Sequence, residues 1–272
     1  MNNNPIGIFD SGVGGLTVVK RVMALQPNES IVYFGDTARV PYGTKSNDTV
    51  IEYALQDSAL LMHKGVKVIV VACNTVSSVA MEELRKEFKV PVIGMIEPGV
   101  DLALKKTKNG KVGVIGTNAT ITNKAYSSEL KKLKPDVEVI EKACPLFVPL
   151  AEEGWTYHTA TKLIAEEYLN ELKQFGIDTL ILGCTHYPIL SDIIQEVMGD
   201  DVALIDSGTA ASYVVKEYLT ESSLLADARH KHTHDFYISD LPRKFKDIAE
   251  RFMGRPIDNV HKVELEELME GY

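Results

Sequence analysis

The sequence predicts an α/β fold with two similar parallel sheets, each flanked by helices. Two observations predict this fold. Short β-branched runs alternate with longer helical patterns along most of the 272 residues, and three segments of the first half recur in the same order in the second half. Alternating strands and helices build parallel sheets with helices on both faces, and such sheets bind ligands at the carboxyl ends of their strands.

The β-branched runs predict eight strands in the repeated part of the chain. In order, these strands are residues 6–9, 31–34, 66–71, 92–95, 112–115, 137–140, 179–182 and 202–205. The first strand leads through a glycine-rich turn into an amphipathic stretch, which predicts strand, tight turn and helix. The other helical patterns cover residues 46–64, 77–88, 126–133, 159–175 and 189–197.

The internal repeat rests on three pairs of segments whose offsets agree within five residues. The pairs are residues 6–12 with 112–118, residues 66–75 with 177–186, and residues 92–99 with 202–208. A duplicated α/β unit explains why all three matches occur in the same order.

The repeat also predicts the domain organisation. We expect a first domain at residues 1–98 and a second domain at residues 99–207. The tail, residues 208–272, has a helical pattern at 210–219 and a single strand candidate at 236–238. Because this is too little for a third domain, we expect the tail to pack on the first domain.

The composition limits the classes of partner. Hydrophobic residues make up 45% of the chain and charged residues 25%, which is ordinary for a globular protein. The net charge of -9 argues against nucleic acids and anionic membranes, because those partners require clustered Lys and Arg. The sequence has neither a secretory signal nor an apolar run near the roughly 20 residues of a membrane span, so we expect a cytoplasmic protein.

The three cysteines are far apart and form no Cys-x-x-Cys motif, so neither a disulfide framework nor a zinc site is indicated. Cys73 and Cys184 take equivalent places in the repeat, directly after a strand and before a helix, where a thiol pKa is lowered. A small buried hydrophobe is the ordinary interpretation of one such cysteine, but the repeated placement favours a function. Cys144 has no repeat partner, and we interpret it as a buried structural thiol.

Two thiols that face each other across a ligand suit one kind of chemistry. A thiolate removes an α-proton from one face of a carbon, and a thiol delivers a proton to the other face. The polar residues after the strands suit an amino-acid ligand, with hydroxyls, amides and backbone N–H groups for carboxylates. Asp10 and Asp36 are the candidates that receive an ammonium group or tune a thiol. Helix capping is the alternative interpretation of these polar residues, and both roles are compatible. His186, two residues beyond Cys184, fits a general acid.

Five ordered motifs closely resemble those of the glutamate racemase family. They are DSGVGG at residues 10–15, GDTARVPYG at 35–43, ACNT at 72–75, GMIEPG at 94–99 and LGCTHYP at 182–188. The resemblance implies two pseudo-symmetric flavodoxin-like domains, each a mostly parallel sheet flanked by helices, with the active site in the cleft between them. It also implies interconversion of L- and D-glutamate without cofactor or metal, a supply of D-glutamate for peptidoglycan, and a homodimer.

The resemblance assigns roles position by position. Cys73 and Cys184 are implied as the acid/base catalysts, the first for D-glutamate and the second for L-glutamate. Asp10 is the implied helper of Cys73, and His186 and Glu152 are the implied helpers of Cys184. The implied substrate contacts are Asp10, Ser11, Tyr42, Gly43, Asn74, Thr75, Thr117, Thr120, Thr185 and His186. Without the resemblance, Glu152 is an ordinary surface carboxylate.

Three other functions stay open at this point. An aspartate racemase or a related isomerase would differ only in what holds the side-chain carboxylate. A nucleotide- or flavin-binding module is suggested by the glycine-rich turn and by Asp36, which follows it at about the distance of a ribose-binding acid. A non-catalytic binder of small acids would make the cysteines incidental. A metal site at His230, His232 and His234 is disfavoured against a solvated loop.

Overall fold

The structure is a computed structural model that describes residues 1–241 and 245–264. Within these residues the chain forms ten strands in two sheets. The strands are β1 (Ile6–Asp10), β2 (Ile31–Gly35), β3 (Val68–Val71), β4 (Val92–Ile93), β5 (Lys111–Gly116), β6 (Glu138–Ala143), β7 (Thr179–Gly183), β8 (Ala203–Asp206), β9 (His234–Ile238) and β10 (Val260–Lys262).

Helices pack on both faces of the sheets, as the alternating pattern predicts. They are α1 (Leu16–Leu25), α2 (Asn47–His63), α3 (Asn74–Ser77), α4 (Met81–Glu87), α5 (Ile96–Lys106), α6 (Asn118–Thr122), α7 (Ala125–Leu133), α8 (Phe147–Glu152), α9 (Thr159–Phe175), α10 (Ser191–Met198), α11 (Ser207–Glu221) and α12 (Phe245–Met253).

The two sheets share one topology. The first has the order β10-β9-β2-β1-β3-β4 and the second has the order β6-β5-β7-β8, with every strand pair parallel. The four strands β2-β1-β3-β4 therefore correspond to β6-β5-β7-β8. In each sheet the chain order of the strands changes direction at the first strand of the repeated unit, which is β1 in one sheet and β5 in the other. The predicted α/β fold with two parallel sheets flanked by helices is confirmed.

The repeat extends to a packing detail at the start of each unit. A Cβ on Gly7 would lie 2.8 Å from Val66 Cγ1, and a Cβ on Gly113 would lie 2.5 Å from Ile177 Cδ1. Each glycine sits in the central strand of its sheet, and each apolar partner precedes the neighbouring strand. The glycine in Ile-Gly-Ile and Val-Gly-Val is therefore kept free of a side chain so that the chain entering β3 or β7 can pack closely.

The tail adds two strands to the first sheet. Phe236 in β9 pairs with Tyr33 in β2, and β10 lies outside β9. The strand candidate at 236–238 is confirmed, whereas β10 and α12 were not predicted. The proposed domain boundaries near residues 98 and 208 stay a prediction.

The region between β3 and β5 differs from its sequence-based prediction. Instead of one helix at 77–88, α3 ends at Ser77 and α4 begins at Met81. The Ser77 hydroxyl donates to the Val71 carbonyl and accepts from the Met95 N–H, both over 3.1 Å, which ties this turn to the strand ends. Helix α5 was not predicted because Pro98 and Gly99 disfavour helices. Pro98 lies in the first turn, where its missing N–H has no intrahelical acceptor to lose.

Candidate active site

A cavity of about 530 Å³ lies where the carboxyl ends of the two sheets face each other. Of the residues that the sequence predicts for the site, all but Asp10 and Thr120 line it. These lining residues are Ser11, Tyr42, Gly43, Cys73, Asn74, Thr75, Thr117, Glu152, Cys184, Thr185 and His186.

The topology explains why these residues meet. Ser11 directly follows β1, and one residue separates Cys73 from the end of β3. Both therefore lie at the point where the strand order of the first sheet reverses. Thr117 follows β5 and Cys184 follows β7 at the equivalent point of the second sheet. Such reversal points are where parallel sheets leave a crevice for ligands, and here two crevices form one cavity.

The Cys73 side of the cavity is governed by a buried carboxyl group. Asp10 is fully buried, its Oδ2 accepts the Gly12 N–H over 3.0 Å, and its Oδ1 has no hydrogen-bond partner among the described residues. Burial raises the pKa of Asp10. Burial and the charge of Asp10 raise the pKa of Cys73 to about 12, although its thiol donates to Ser11 Oγ over 3.5 Å. The lowered pKa expected for Cys73 from its place before a helix is therefore wrong, because burial and Asp10 outweigh the helix N-terminus. Cys73 stays a thiol in the ligand-free site.

On the Cys184 side of the cavity, a positively charged side chain lies next to the sulfur. Nδ1 of His186 lies 3.7 Å from the Cys184 sulfur, and Nε2 lies 2.9 Å from Oε1 of Glu152. Burial lowers the pKa of His186, but hydrogen bonds to the Cys184 sulfur and to Glu152, and the negative charge that these groups carry when ionised, outweigh it and raise this pKa to about 10. His186 is therefore an imidazolium at neutral pH, and an imidazolium beside a sulfur stabilises the thiolate.

Hydroxyls from both halves of the molecule meet at the third side of the cavity. Thr117 Oγ1 lies 2.9 Å from Thr75 Oγ1 and 3.0 Å from Thr120 Oγ1. Thr120 itself is buried behind the other two. Next to this group, the Asn74 carboxamide keeps its Nδ2 buried and without a hydrogen-bond partner in the described parts of the chain. The arrangement offers donors that suit a carboxylate.

The Asp/Glu/Hydantoin racemase family matches residues 17–213 of the chain. The chain belongs to this family. It is 49% identical to the glutamate racemase of Geobacter metallireducens over 96% of this chain and 97% of the relative. It is 50% identical to that of Chlorobaculum tepidum with the same coverage.

A solved structure of this racemase family shows the same fold. The glutamate racemase of Francisella tularensis, determined in complex with D-glutamate, has a TM-score of 0.92 at 41% identity, covering 98% of this chain and 99% of that one. The resemblance inferred from five motifs is thus confirmed over nearly the whole chain.

Two glycines of the motifs let the halves of the racemase fold approach each other. A Cβ on Gly14 would lie 2.2 Å from Thr185 Oγ1, and a Cβ on Gly43 would lie 2.9 Å from Thr117 Cβ. Thr17 Oγ1 also donates to the Thr185 carbonyl over 3.0 Å. Packing between the halves therefore explains the glycine-rich turn without a phosphate.

Asp36 and Tyr42 form a buried network beside the cavity. The Tyr42 hydroxyl donates to Asp36 and lies 3.1 Å from Asp57, and the Arg39 guanidinium pairs with both carboxylates. Asp36 also accepts from Ser239 Oγ over 2.7 Å. Because Asp36 is fully buried in these contacts, it does not fit the ribose-binding role of a nucleotide module. Tyr42 lines the cavity, and its hydroxyl is already bound by these carboxylates.

The sequence analysis missed the contribution of α12. Phe245 and Ile248 line the cavity, and the ring of Phe252 meets that of His186 edge-on, with centroids 5.3 Å apart. Arg251 donates to the Glu152 carbonyl. The sequence pattern could have identified α12, because the apolar residues of this helix recur at the spacing of one helix face.

The remaining candidates lie outside the cavity. Cys144 is fully buried with its sulfur 3.7 Å from the Lys142 carbonyl. Across residues 1–241 and 245–264, no cluster of three or more His, Cys, Asp or Glu side chains could hold a metal ion.

Over the same residues, no helix is both long and apolar enough to cross a membrane.

Proposed function

We propose that this chain interconverts L- and D-glutamate by moving the α-proton between two thiols. One observation carries the proposal: Cys73 and Cys184 occupy equivalent sheet positions and line one cavity. The glutamate racemases that match 96% of the chain at 49% and 50% identity support the substrate.

The forward step starts with the Cys184 thiolate and the Cys73 thiol. Cys184 removes the α-proton of L-glutamate, so the C–H bond breaks and an S–H bond forms. Cys73 then gives its proton to the opposite face of the carbon, which leaves D-glutamate, a Cys184 thiol and a Cys73 thiolate. The reverse reaction uses the same two groups in exchanged roles, and the acid and the base are both side chains.

The helper residues restore the starting protonation state. A Cys73 thiolate beside the Asp10 carboxylate is unfavourable, so a proton returned to Cys73 lowers the energy of the free site. On the other side, His186 with Glu152 holds positive charge beside Cys184 and favours loss of its proton. We propose these positioning and proton-holding roles for Asp10, His186 and Glu152.

The donors of the cavity hold the substrate. We assign one carboxylate to Asn74 Nδ2 and to the hydroxyls of Thr75 and Thr117, with Thr120 supporting them from behind. Ser11, Tyr42, Gly43 and Thr185 complete the proposed contacts.

We further propose that the chain supplies D-glutamate for peptidoglycan, forms a homodimer and is located in the cytoplasm. In the proposed domain organisation, residues 1–98 and the tail at residues 208–272 together form the first domain.

Proton exchange in D₂O tests the function. The purified chain is incubated with L-glutamate and, separately, with L-aspartate, while optical rotation and α-deuterium are followed by NMR. We expect deuterium to enter glutamate as the rotation disappears, with far slower exchange in aspartate. Faster exchange in aspartate would favour the aspartate racemase, and no exchange in either amino acid would refute both racemase functions.

A further inference from the structure

Tyr126 in α7 contacts the proposed substrate-binding amide from the other half of the molecule. It is fully buried, and its hydroxyl donates to Asn74 Oδ1 over 2.6 Å. Asn74 follows β3 of the first sheet, whereas Tyr126 follows β5 of the second. None of the five motifs includes Tyr126, and the proton-transfer steps do not use it.

The position of the Tyr126 ring is fixed by two glycines. A Cβ on Gly99 would lie 3.2 Å from Cε1 of the ring, and a Cβ on Gly183 would lie 3.1 Å from Cε2. A side chain at either position would crowd the ring, so the glycines form a slot that holds its hydroxyl in place. Burial raises the pKa of Tyr126, which keeps this hydroxyl a donor.

The Asn74 carboxamide is thereby held in one orientation. Its Oδ1 accepts from the Tyr126 hydroxyl, and Ser207 Oγ lies 3.4 Å from it but donates its one proton to the Leu182 carbonyl over 3.2 Å. Its Nδ2 is buried and meets no hydrogen-bond acceptor in the residues that the structure describes. A buried N–H without an acceptor is costly, and Asn74 lines the cavity, so a bound carboxylate would satisfy this donor.

We propose that Tyr126 is a positioning residue that holds the Asn74 carboxamide with Nδ2 available to a substrate carboxylate. This inference rests on the proposed function. Without the Tyr126 donor on Oδ1, the amide is free to turn over, and its oxygen then repels the carboxylate. Because Tyr126 belongs to the other half of the molecule, the binding group is complete only when the two halves are together.

Removal of the Tyr126 hydroxyl tests the inference. In Tyr126→Phe we expect the dissociation constant of D-glutamate, measured by calorimetry, to rise about tenfold, with a smaller change in kcat. Tyr187→Phe is the matched control, because Tyr187 is also fully buried and its hydroxyl donates to the Cys144 carbonyl over 2.9 Å. We expect its dissociation constant to stay within about twofold of the parental value.

The same substitution in a chain that already carries Asn74→Ala separates a positioning role of Tyr126 from a general packing role. In Asn74→Ala, adding Tyr126→Phe should weaken glutamate binding no further; a second tenfold loss would overturn the inference. Ser207→Ala should weaken binding less than Tyr126→Phe, because the Ser207 hydroxyl donates to the Leu182 carbonyl. If the parental chain racemises glutamate and Tyr126→Phe binds it as tightly, the inference alone fails. If the parental chain neither binds nor racemises glutamate, the proposed function fails first.

Discussion

The two thiols of the cavity occupy equivalent positions in a repeated fold but have opposite electrostatic surroundings. Cys73 lies near a buried carboxyl group that opposes its ionisation, whereas Cys184 lies 3.7 Å from a histidine that is charged at neutral pH. Duplication placed both sulfurs, but it did not make them alike. These surroundings favour the proposed direction of proton transfer in the ligand-free site, with Cys184 as base and Cys73 as acid.

The proposed mechanism uses both thiols in every turnover, so their removal is the largest expected effect. Cys73→Ser and Cys184→Ser should each lower kcat/KM for glutamate by about 10³-fold or more, because every turnover needs both an acid and a base. The two enantiomers have equal free energy in water, so each variant must lose kcat/KM equally in both directions. Circular dichroism from pure L- and pure D-glutamate measures this.

The third cysteine provides the control for these variants. Cys144→Ala should keep kcat/KM within about twofold of the parental value, because Cys144 lies outside the cavity. In D₂O, Cys73→Ser should still exchange the α-hydrogen of L-glutamate slowly through Cys184, without racemisation. Near-parental turnover in either serine variant would show that the two-thiol assignment is wrong.

Alkylation should show the difference between the thiols directly, as the next largest effect. At pH 7.5 we expect iodoacetamide to modify Cys184 at least about tenfold faster than Cys73 in the ligand-free chain. With a pKa of about 12, Cys73 should react about tenfold faster for each pH unit between 7 and 9, because its thiolate fraction rises in that proportion. Peptide mapping by mass spectrometry separates the two rates.

Two variants should reduce the difference in alkylation rate between Cys73 and Cys184, each by changing the rate of one thiol. Asp10→Asn removes a charge that raises the pKa of Cys73, so Cys73 should react faster. His186→Asn removes the cation beside Cys184, so that thiol should react more slowly. Cys144, which is fully buried, should stay unmodified in every case. Faster alkylation of Cys73 than of Cys184 in the parental chain would reverse the assigned resting state.

The smallest expected effect concerns the support of His186 by the tail. Phe252→Leu keeps an apolar side chain but removes the ring that meets His186 edge-on, so we expect kcat/KM to fall about three- to tenfold. Phe236→Leu is the matched control, because Phe236 is a buried phenylalanine of β9 that does not line the cavity. An equal loss of kcat/KM in both variants would mean that α12 acts through stability alone.

The sequence predicted the two-sheet fold because the repeat is recorded in local patterns. Apolar strands followed by small polar residues recur with nearly constant offsets, and parallel sheets bring such strand ends together. For the same reason, Ser11, Cys73, Thr117 and Cys184 could be placed at one cavity before the structure was known. These positions depend on where the strands end along the chain, which the apolar pattern reveals.

Contacts between segments that are distant in the chain could not be predicted in this way. The sequence does not show that Tyr42 turns its hydroxyl to buried carboxylates, or that α12 supports His186 from the tail. Glu152 was singled out only by resemblance, because a carboxylate at a helix end carries no local signal of its hydrogen bond to His186.

The sequence by itself thus determined the repeated α/β fold, the place of the two thiols and the family. Only the tertiary structure decided how the thiols differ, since ionisation depends on burial and on charges brought near by other segments. It also decided that Tyr126 reaches Asn74 from the opposite half of the chain. Local patterns fix which residues stand at the strand ends, and packing fixes what surrounds them.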